Sequence, residues 1–134
     1  MIKAIAAFIR AYWPTLCVVA VIIYATMSPD PTPDIEMPLI PGLDKIIHAI
    51  MFGGLTGAMA FDYQRAHRPH PVLTRALMLR IALIAAIAGA LDETAQASLT
   101  AERSGDIFDW LADCAGIAVA VVSAPAAVRK VLRM

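Results

Sequence analysis

Residues 11–28 of the chain read AYWPTLCVVAVIIYATMS, an uncharged stretch that is apolar around the whole circumference of a helix. A helix needs about 20 largely apolar residues to cross a bilayer, and this stretch approaches that length. Tyr12 and Trp13 stand near one end, where amphipathic rings favour the membrane interface. Residues 11–28 therefore predict a transmembrane helix, and they place the chain among membrane proteins.

The composition of the whole chain also favours a membrane environment. Of the 134 residues, 60% are hydrophobic and 16% are charged, with a mean hydropathy of +0.70, whereas a soluble helical bundle needs solvated polar faces. The length fits a single domain over residues 1–134. Because the formal net charge is zero, no nucleic-acid partner is expected. Membrane lipids are the expected surroundings.

Three further stretches, at residues 43–61, 76–96 and 107–128, extend the prediction to four transmembrane helices. These stretches are less uniformly apolar than the first, because Arg80 lies in the third span and two aspartates lie in the fourth. Arg80 can snorkel to the nearer surface, whereas an aspartate inside a span needs a partner. We therefore predict an all-α, polytopic membrane protein, a four-transmembrane-helix bundle.

The basic residues predict which helix ends face the cytoplasm, because Lys and Arg are retained on that side. Nine of the eleven cations lie before the first span, around the second loop or after the fourth span. They are Lys3, Arg10, Arg65, Arg68, Arg75, Arg80, Arg129, Lys130 and Arg133. Lys45 and Arg103 are the two exceptions. Both termini should therefore be cytoplasmic.

Three short polar patterns lie at the predicted non-cytoplasmic ends of the last three helices. They are Asp44-Lys45-x-x-His48, Asp92-Glu93-x-x-Gln96 and Arg103-x-x-Asp106-x-x-Asp109-x-x-x-Asp113. Residues four apart share one face of a helix, so Asp44 is expected beside His48, and Asp92 beside Gln96. The third pattern continues to Gly116, where a missing side chain lets a neighbouring helix approach closely. The acidic stripe is therefore expected to face protein.

Helix capping alone is one interpretation of that stripe, because the free N–H groups at a helix start favour carboxylates such as Asp106 and Asp109. Asp113 lies seven residues beyond Asp106, which is about 10 Å deeper at the helical rise. An ionisable side chain at that depth costs several kcal/mol unless it is paired or hydrated. The three patterns together therefore predict a polar network rather than independent surface charges.

Lys45, His48 and Arg103 are the basic members of the predicted network. They could simply neutralise the carboxylates. The sharper hypothesis is a pocket at the headgroup boundary that receives a phosphate, carboxylate or glycan group.

A metal site is chemically possible. Its ligands would be His48 and the carboxylates of Asp92, Glu93 and Asp106. A single His without a ligand-spaced partner is a weak signal for metal. The prediction is therefore that the protein holds no metal ion and needs no cofactor.

The segments DKIIHAIMFGGLTG (44–57), LDETAQ (91–96) and ERSGDIFDWLADCAG (102–116) together resemble the VanZ-like family of bacterial membrane proteins. The resemblance covers about residues 42–121 and rests on Asp44, Lys45, His48, Asp92, Glu93, Gln96, Arg103, Asp109 and Gly116. Asp113 stands where the family more often has Asn. The resemblance implies a multi-pass, cell-envelope protein of the bacterial inner membrane. The family's named member is associated with low-level teicoplanin resistance, so a link to glycopeptide antibiotic resistance is implied as well.

Three functions are compatible with a polar network inside a small bundle. The first is a non-enzymatic protein that binds or remodels an envelope lipid or lipid-linked glycan. The second is a membrane-protein partner in an envelope complex, or a homo-oligomer, whose network fixes helix register. The third is a lipid-headgroup enzyme with Glu93 or Asp109 as general base and His48 as acid or ligand. An enzyme is the least favoured of the three.

Overall fold

The structure is a computed structural model that describes residues 1–28, 40–100 and 105–134. It contains four helices, α1 (Ile2–Met27), α2 (Leu43–Ala66), α3 (Arg75–Leu99) and α4 (Ile107–Val131), and none of the described residues forms a strand. The predicted all-α, four-helix architecture is confirmed. The largest difference is that α1 begins at Ile2 rather than at residue 11, because the Ala-rich run before it continues the same helix.

Three of these helices, α1, α2 and α4, are long and apolar enough to cross a membrane. The third helix does not meet that criterion, because arginines occupy its first turns while Asp92 and Glu93 occupy its last turns. The uncharged part, residues 81–91, spans about 16 Å at the helical rise, roughly half of the hydrocarbon thickness. The predicted span at residues 76–96 is therefore not supported by the composition of α3.

Large apolar side chains nevertheless cover the outer surface of the bundle. They include Ile23 on α1, Ile50 on α2 and Val122 on α4, and α3 also exposes Leu83, Ile84, Ile87 and Leu91. Such a continuous apolar exterior is typical of helices that face lipid rather than water. The middle of α3 therefore shares the exterior of the three helices that qualify as membrane spans.

Helix α2 packs against each of the other three helices, and its contact with α4 is the most extensive. A Cβ atom on Gly116 would overlap the backbone of Ala49, and one on Gly53 would lie 3.0 Å from the Gly116 carbonyl oxygen. The predicted close approach of a helix at Gly116 is therefore confirmed. Small residues at this crossing bring the two backbones into direct contact, as in other membrane helix pairs.

The interior is apolar in the middle of the bundle and continues apolar toward one end, while polar side chains gather at the other end. Phe52 and Leu55 of α2 pack with residues of the other helices in the middle, the partners being Ile22, Ala85 and Ile117. A second apolar cluster around Ala60, Met78 and Val128 lies toward the end at which α2 and α4 finish. The polar patterns singled out in the sequence lie at the opposite end, where α2 and α4 begin and α3 finishes.

Helix α1 has a kink that α2 stabilises through hydrogen bonds. Pro14 lies inside α1, and Tyr12 has non-helical dihedral angles of φ −120° and ψ 19°, because proline donates no hydrogen bond and its ring crowds the preceding turn. Arg65 Nη2 donates to the carbonyl of Ala11 at 2.7 Å and to Asp62 Oδ1 at 3.0 Å. The other oxygen, Asp62 Oδ2, accepts from the Thr15 backbone N–H at 2.9 Å and from its hydroxyl at 2.7 Å. We call Thr15, Asp62 and Arg65 the α1–α2 clamp.

Candidate functional site

The site is built where α2 and α4 begin. Gly42 precedes α2 with a φ of 78°, a left-handed conformation that glycine adopts without steric cost. Helix α2 then presents Asp44, Lys45 and His48 within its first two turns. Asp106 caps α4, because its Oδ1 accepts the Phe108 N–H at 2.8 Å. The two helix starts thus bring the first and third polar patterns together.

Lys45 lies among three carboxylates at the more exposed edge of the site. Its Nζ is 2.9 Å from Asp44 Oδ2, 3.2 Å from Asp106 Oδ2 and 2.9 Å from Asp109 Oδ1. The Phe108 N–H, with Lys45 nearby, lowers the pKa of Asp106 below its ordinary value. The single charge of Lys45 is therefore shared by three negative groups, and the ammonium has little capacity left for a further anion.

His48 lies deeper and is surrounded by carboxylates of α3 and α4. Its Nδ1 is 3.0 Å from Asp113 Oδ1 and 3.8 Å from Glu93 Oε1, while its Nε2 is 3.9 Å from Asp109 Oδ2. The side chain of Asp113 has 0% of its area exposed. Its second oxygen, Oδ2, has no hydrogen-bond partner among the described residues. Histidine and aspartate here form a buried pair with one unsatisfied acceptor.

A chain of hydrogen bonds beside this pair links the start of α4 to α1 through α3, where Gln96 Nε2 donates to Glu93 Oε1 at 3.4 Å. Glu93 Oε2 accepts the backbone N–H of Asp106 at 2.8 Å. Gln96 Nε2 donates to Asp92 Oδ2 at 3.2 Å, and Asp92 Oδ1 accepts from the Thr26 hydroxyl at 2.8 Å. The network therefore connects side chains of all four helices at one end of the bundle.

Nine of the ten residues singled out in the sequence are described, and we call these nine the polar cluster. They are Asp44, Lys45, His48, Asp92, Glu93, Gln96, Asp106, Asp109 and Asp113. Arg103 lies outside the described residues. That the cluster binds a ligand remains a prediction, whereas its convergence on one end of the bundle is a property of the structure.

Two details of the cluster differ from the sequence-based expectations. The carboxylate of Asp44 pairs with Lys45, and the buried partner of His48 is Asp113 of α4. The hypothetical metal ligands also change, since the group brought within reach of one ion is His48, Glu93 and Asp113. Asp92 instead bonds to Thr26, a residue that the sequence analysis did not single out.

The described part of the cluster is strongly acidic. It holds six carboxylates, against one lysine and one histidine. Ionised carboxylates only accept hydrogen bonds, so their free lone pairs favour hydrogen-bond donors such as hydroxyl groups and amines, or a metal cation that they can coordinate. The predicted phosphate contact through Lys45 is less favoured by this arrangement, because its nearest neighbours are already anionic.

Two apolar clefts run up to the cluster from the sides of the bundle. One cavity of about 430 Å³ lies between α1, α2 and α3, where Ile22, Phe52 and Leu91 line it and Asp92 is the one charged residue among the described residues of its lining. Another cavity of about 480 Å³ lies between α3 and α4, where Trp110 and Ile107 lie beside Glu93 and Asp106. Each cleft therefore places apolar surface next to carboxylates of the cluster.

A comparison with protein families and known proteins gives one match. The family model described as VanZ/LLP1 matches residues 4–129, which covers α1 as well as the polar cluster. No curated protein and no solved structure matches the chain. The matched region is wider than residues 42–121, over which the sequence resemblance was recognised.

Proposed function

The chain belongs to the VanZ/LLP1 family, and we propose that it is a cell-envelope membrane protein that binds an envelope lipid or lipid-linked glycan at the polar cluster. The observation that carries this proposal is the hydrogen-bonded network at one end of the bundle, which involves all four helices and borders an apolar cleft at Asp92. A lipid has the same two parts, a polar headgroup and an apolar chain. The headgroup would contact the cluster while the chain lies along the helices.

The chemistry of the cluster favours a particular kind of headgroup. Because carboxylates outnumber basic groups among the described residues, sugar hydroxyls or a headgroup amine would find acceptors there. A phosphate alone would meet like charges, unless a cation accompanies it. We therefore favour a glycan-bearing or amine-bearing lipid over one with a bare phosphate.

The apolar cleft between α1, α2 and α3 supports the lipid part of the proposal. Its volume of about 430 Å³ is within the range of ligand sites. Ile23 and Leu91 line this cleft and are also largely exposed on the outer surface, so a chain could enter it sideways from the bilayer. Transfer of an apolar chain from the surrounding lipid into the cleft gains little free energy. Specificity would therefore come from the headgroup.

Native mass spectrometry of gently extracted protein tests the proposal. The wild type should retain an added mass that corresponds to an envelope lipid, and the double variant His48→Gln/Glu93→Gln should retain at least tenfold less of it. Lys130→Gln, an exposed change at the other end of α4, is the matched control and should retain the lipid. Equal retention by the double variant would refute the proposal, and a stoichiometric protein partner in place of lipid would favour the structural-subunit alternative.

The proposal places the cluster on the non-cytoplasmic side of the bacterial inner membrane. The cation distribution supports this orientation, since Lys45 is the one lysine or arginine of the described residues at the cluster end. Single cysteines at Asp34 and His67, in a chain with Cys17→Ala and Cys114→Ala, should be labelled from opposite sides. Labelling of both from the same side would contradict the arrangement.

An enzyme that acts on a lipid headgroup is the second candidate, and the His48–Asp113 pair favours it. A buried carboxylate 3.0 Å from an imidazole nitrogen orients the ring and strengthens it as a general base. Turnover of lipid-linked substrates by the purified protein, lost in His48→Gln, would establish activity. Absence of turnover with lipid still bound would leave the binding function.

Membership of the VanZ/LLP1 family extends the proposal to a role in glycopeptide resistance. If the protein protects a lipid-linked glycan, a strain that lacks it should be more sensitive to teicoplanin, and the His48→Gln/Glu93→Gln variant should fail to restore growth. Unchanged sensitivity would separate this member of the family from resistance.

A further inference from the structure

We propose that His48, Glu93 and Asp113 bind one divalent transition-metal ion, with Mn²⁺ or Zn²⁺ as the fitting class. One ligand atom from each residue lies within 4.8 Å of the other two. His48 Nδ1 is already 3.0 Å from Asp113 Oδ1 and 3.8 Å from Glu93 Oε1. Ligand atoms about 2.1 Å from a tetrahedral zinc are about 3.4 Å apart, so small side-chain movements would suffice.

The charges of the three side chains match a divalent ion. A neutral imidazole and two carboxylates together carry two negative charges, which one divalent cation balances in a site where uncompensated charge is costly. One imidazole with carboxylates suits manganese or zinc. A protonated His48 would balance just one of the two carboxylates, and Asp109 adds a third negative charge 3.9 Å from the ring.

The unsatisfied oxygen of Asp113 is a separate observation that points to a ligand. The side chain is fully buried, and Oδ2 has no partner among the described residues while Oδ1 faces His48. Buried carboxylate oxygens are rarely left without a donor. A cation at this carboxylate would supply the missing interaction.

The surroundings of the three ligands fit a metal site as well. Metal-binding histidines usually direct their other ring nitrogen to a carboxylate, and Asp109 Oδ2 lies on the Nε2 side of His48. Asp109 is in turn held by Lys45 at 2.9 Å. Glu93 keeps Oε2 on the Asp106 N–H at 2.8 Å. Its Oε1, which accepts from Gln96 Nε2 at 3.4 Å, is the oxygen that faces His48 and would coordinate. Glu93 also borders the cleft between α3 and α4, which gives an ion a way in.

Isothermal titration calorimetry tests the inference. Zn²⁺ and Mn²⁺ are added separately to the full-length, chelator-treated protein in detergent. The wild type should bind one ion per chain with a saturable isotherm. His48→Gln and Asp113→Asn should each weaken that affinity at least tenfold. Lys130→Gln is the control, because Lys130 is exposed at the other end of α4, and it should leave the affinity unchanged.

A second measurement keeps the test valid if a variant fails to fold. Pulsed electron paramagnetic resonance of Mn²⁺ on the wild type should show coupling to a histidine nitrogen. Absence of saturable binding, absence of that coupling, or unchanged affinity in both His48→Gln and Asp113→Asn would overturn the assignment. The titration uses no lipid, so its failure would leave the lipid-binding proposal standing.

Discussion

Asp62 and Asp113 are both fully buried aspartates, and they lie at opposite ends of the bundle in opposite situations. Asp62 accepts from Thr15 with one oxygen and from Arg65 with the other. Asp113 has His48 on one oxygen and no partner for the other among the described residues. Both oxygens of the first carboxylate have donors, although Arg65 Nε of the same clamp has no partner among the described residues. The second carboxylate belongs to an acidic cluster in which acceptors outnumber donors.

Under the proposed function, this difference separates a pair that stabilises the bundle from a cluster that binds a ligand. In the α1–α2 clamp, one anion and one cation meet at 3.0 Å and the remaining acceptors are filled by Thr15. In the polar cluster, six carboxylates surround two basic side chains, which raises the energy of the unliganded site. Such an excess is typical of sites at which stability is given up for binding.

The largest expected effect comes from removal of the clamp carboxylate. Asp62→Ala removes the acceptor of the Thr15 N–H and hydroxyl and leaves Arg65 without its anionic partner. Loss of one member of an ion pair whose carboxylate is fully buried costs about 3 kcal/mol. Thermal unfolding in detergent should show this loss relative to the wild type. Asp44→Ala, whose side chain is 59% exposed, should change stability by less than about 1 kcal/mol. Equal effects of the two changes would contradict the comparison.

A smaller loss is expected at the helix crossing that supports the cluster. Gly116→Ala places a methyl group against the backbone of Ala49, and overpacking of this kind costs about 1–3 kcal/mol. Gly54→Ala is the control, because a Cβ there meets nothing within 4 Å among the described residues and alanine favours the helix. If the Gly116 variant were as stable as the Gly54 variant, α2 and α4 would have to be further apart than they are in the structure.

The smallest effect is expected at the cap of α4, and it should depend on pH. The folded-state pKa of Asp106 is lowered by the Phe108 N–H and by Lys45, so its stabilising charge is present above the unfolded pKa of about 3.9. That contribution is lost as the pH falls through the lowered folded-state value. Asp106→Asn should therefore lower the unfolding temperature slightly at pH 7 and converge with the wild type in acid. The same difference at both pH values would contradict a charge effect.

Much of the fold follows from the sequence, because apolar period and length determine where membrane helices form. The starts of α2 and α4 were predicted at residues 43 and 107, and they are confirmed. The length of α1 was underestimated, since Lys3 and Arg10 ended the apolar run but did not end the helix.

The partners within the site were harder to predict than its members. Gly116 correctly marked the close approach of a neighbouring helix, which the structure identifies as α2. The pairing of His48 with Asp113 joins residues 65 positions apart and depends on how each helix is rotated. The α1–α2 clamp was missed, although Pro14 offered a signal, because a proline inside a helix leaves an upstream carbonyl in need of a donor. Arg65 donates to two carbonyls of that turn.

The most direct test of the account is to make the same isosteric change at both buried aspartates and to measure unfolding without metal or lipid. Asp62→Asn should lose about 2 kcal/mol, because the charge that faces Arg65 is removed. Asp113→Asn should be as stable as the wild type or more stable, since a surplus negative charge leaves the polar cluster while His48 keeps a hydrogen-bond acceptor. A loss at Asp113 as large as the loss at Asp62 would contradict the account, because the cluster would then be structural.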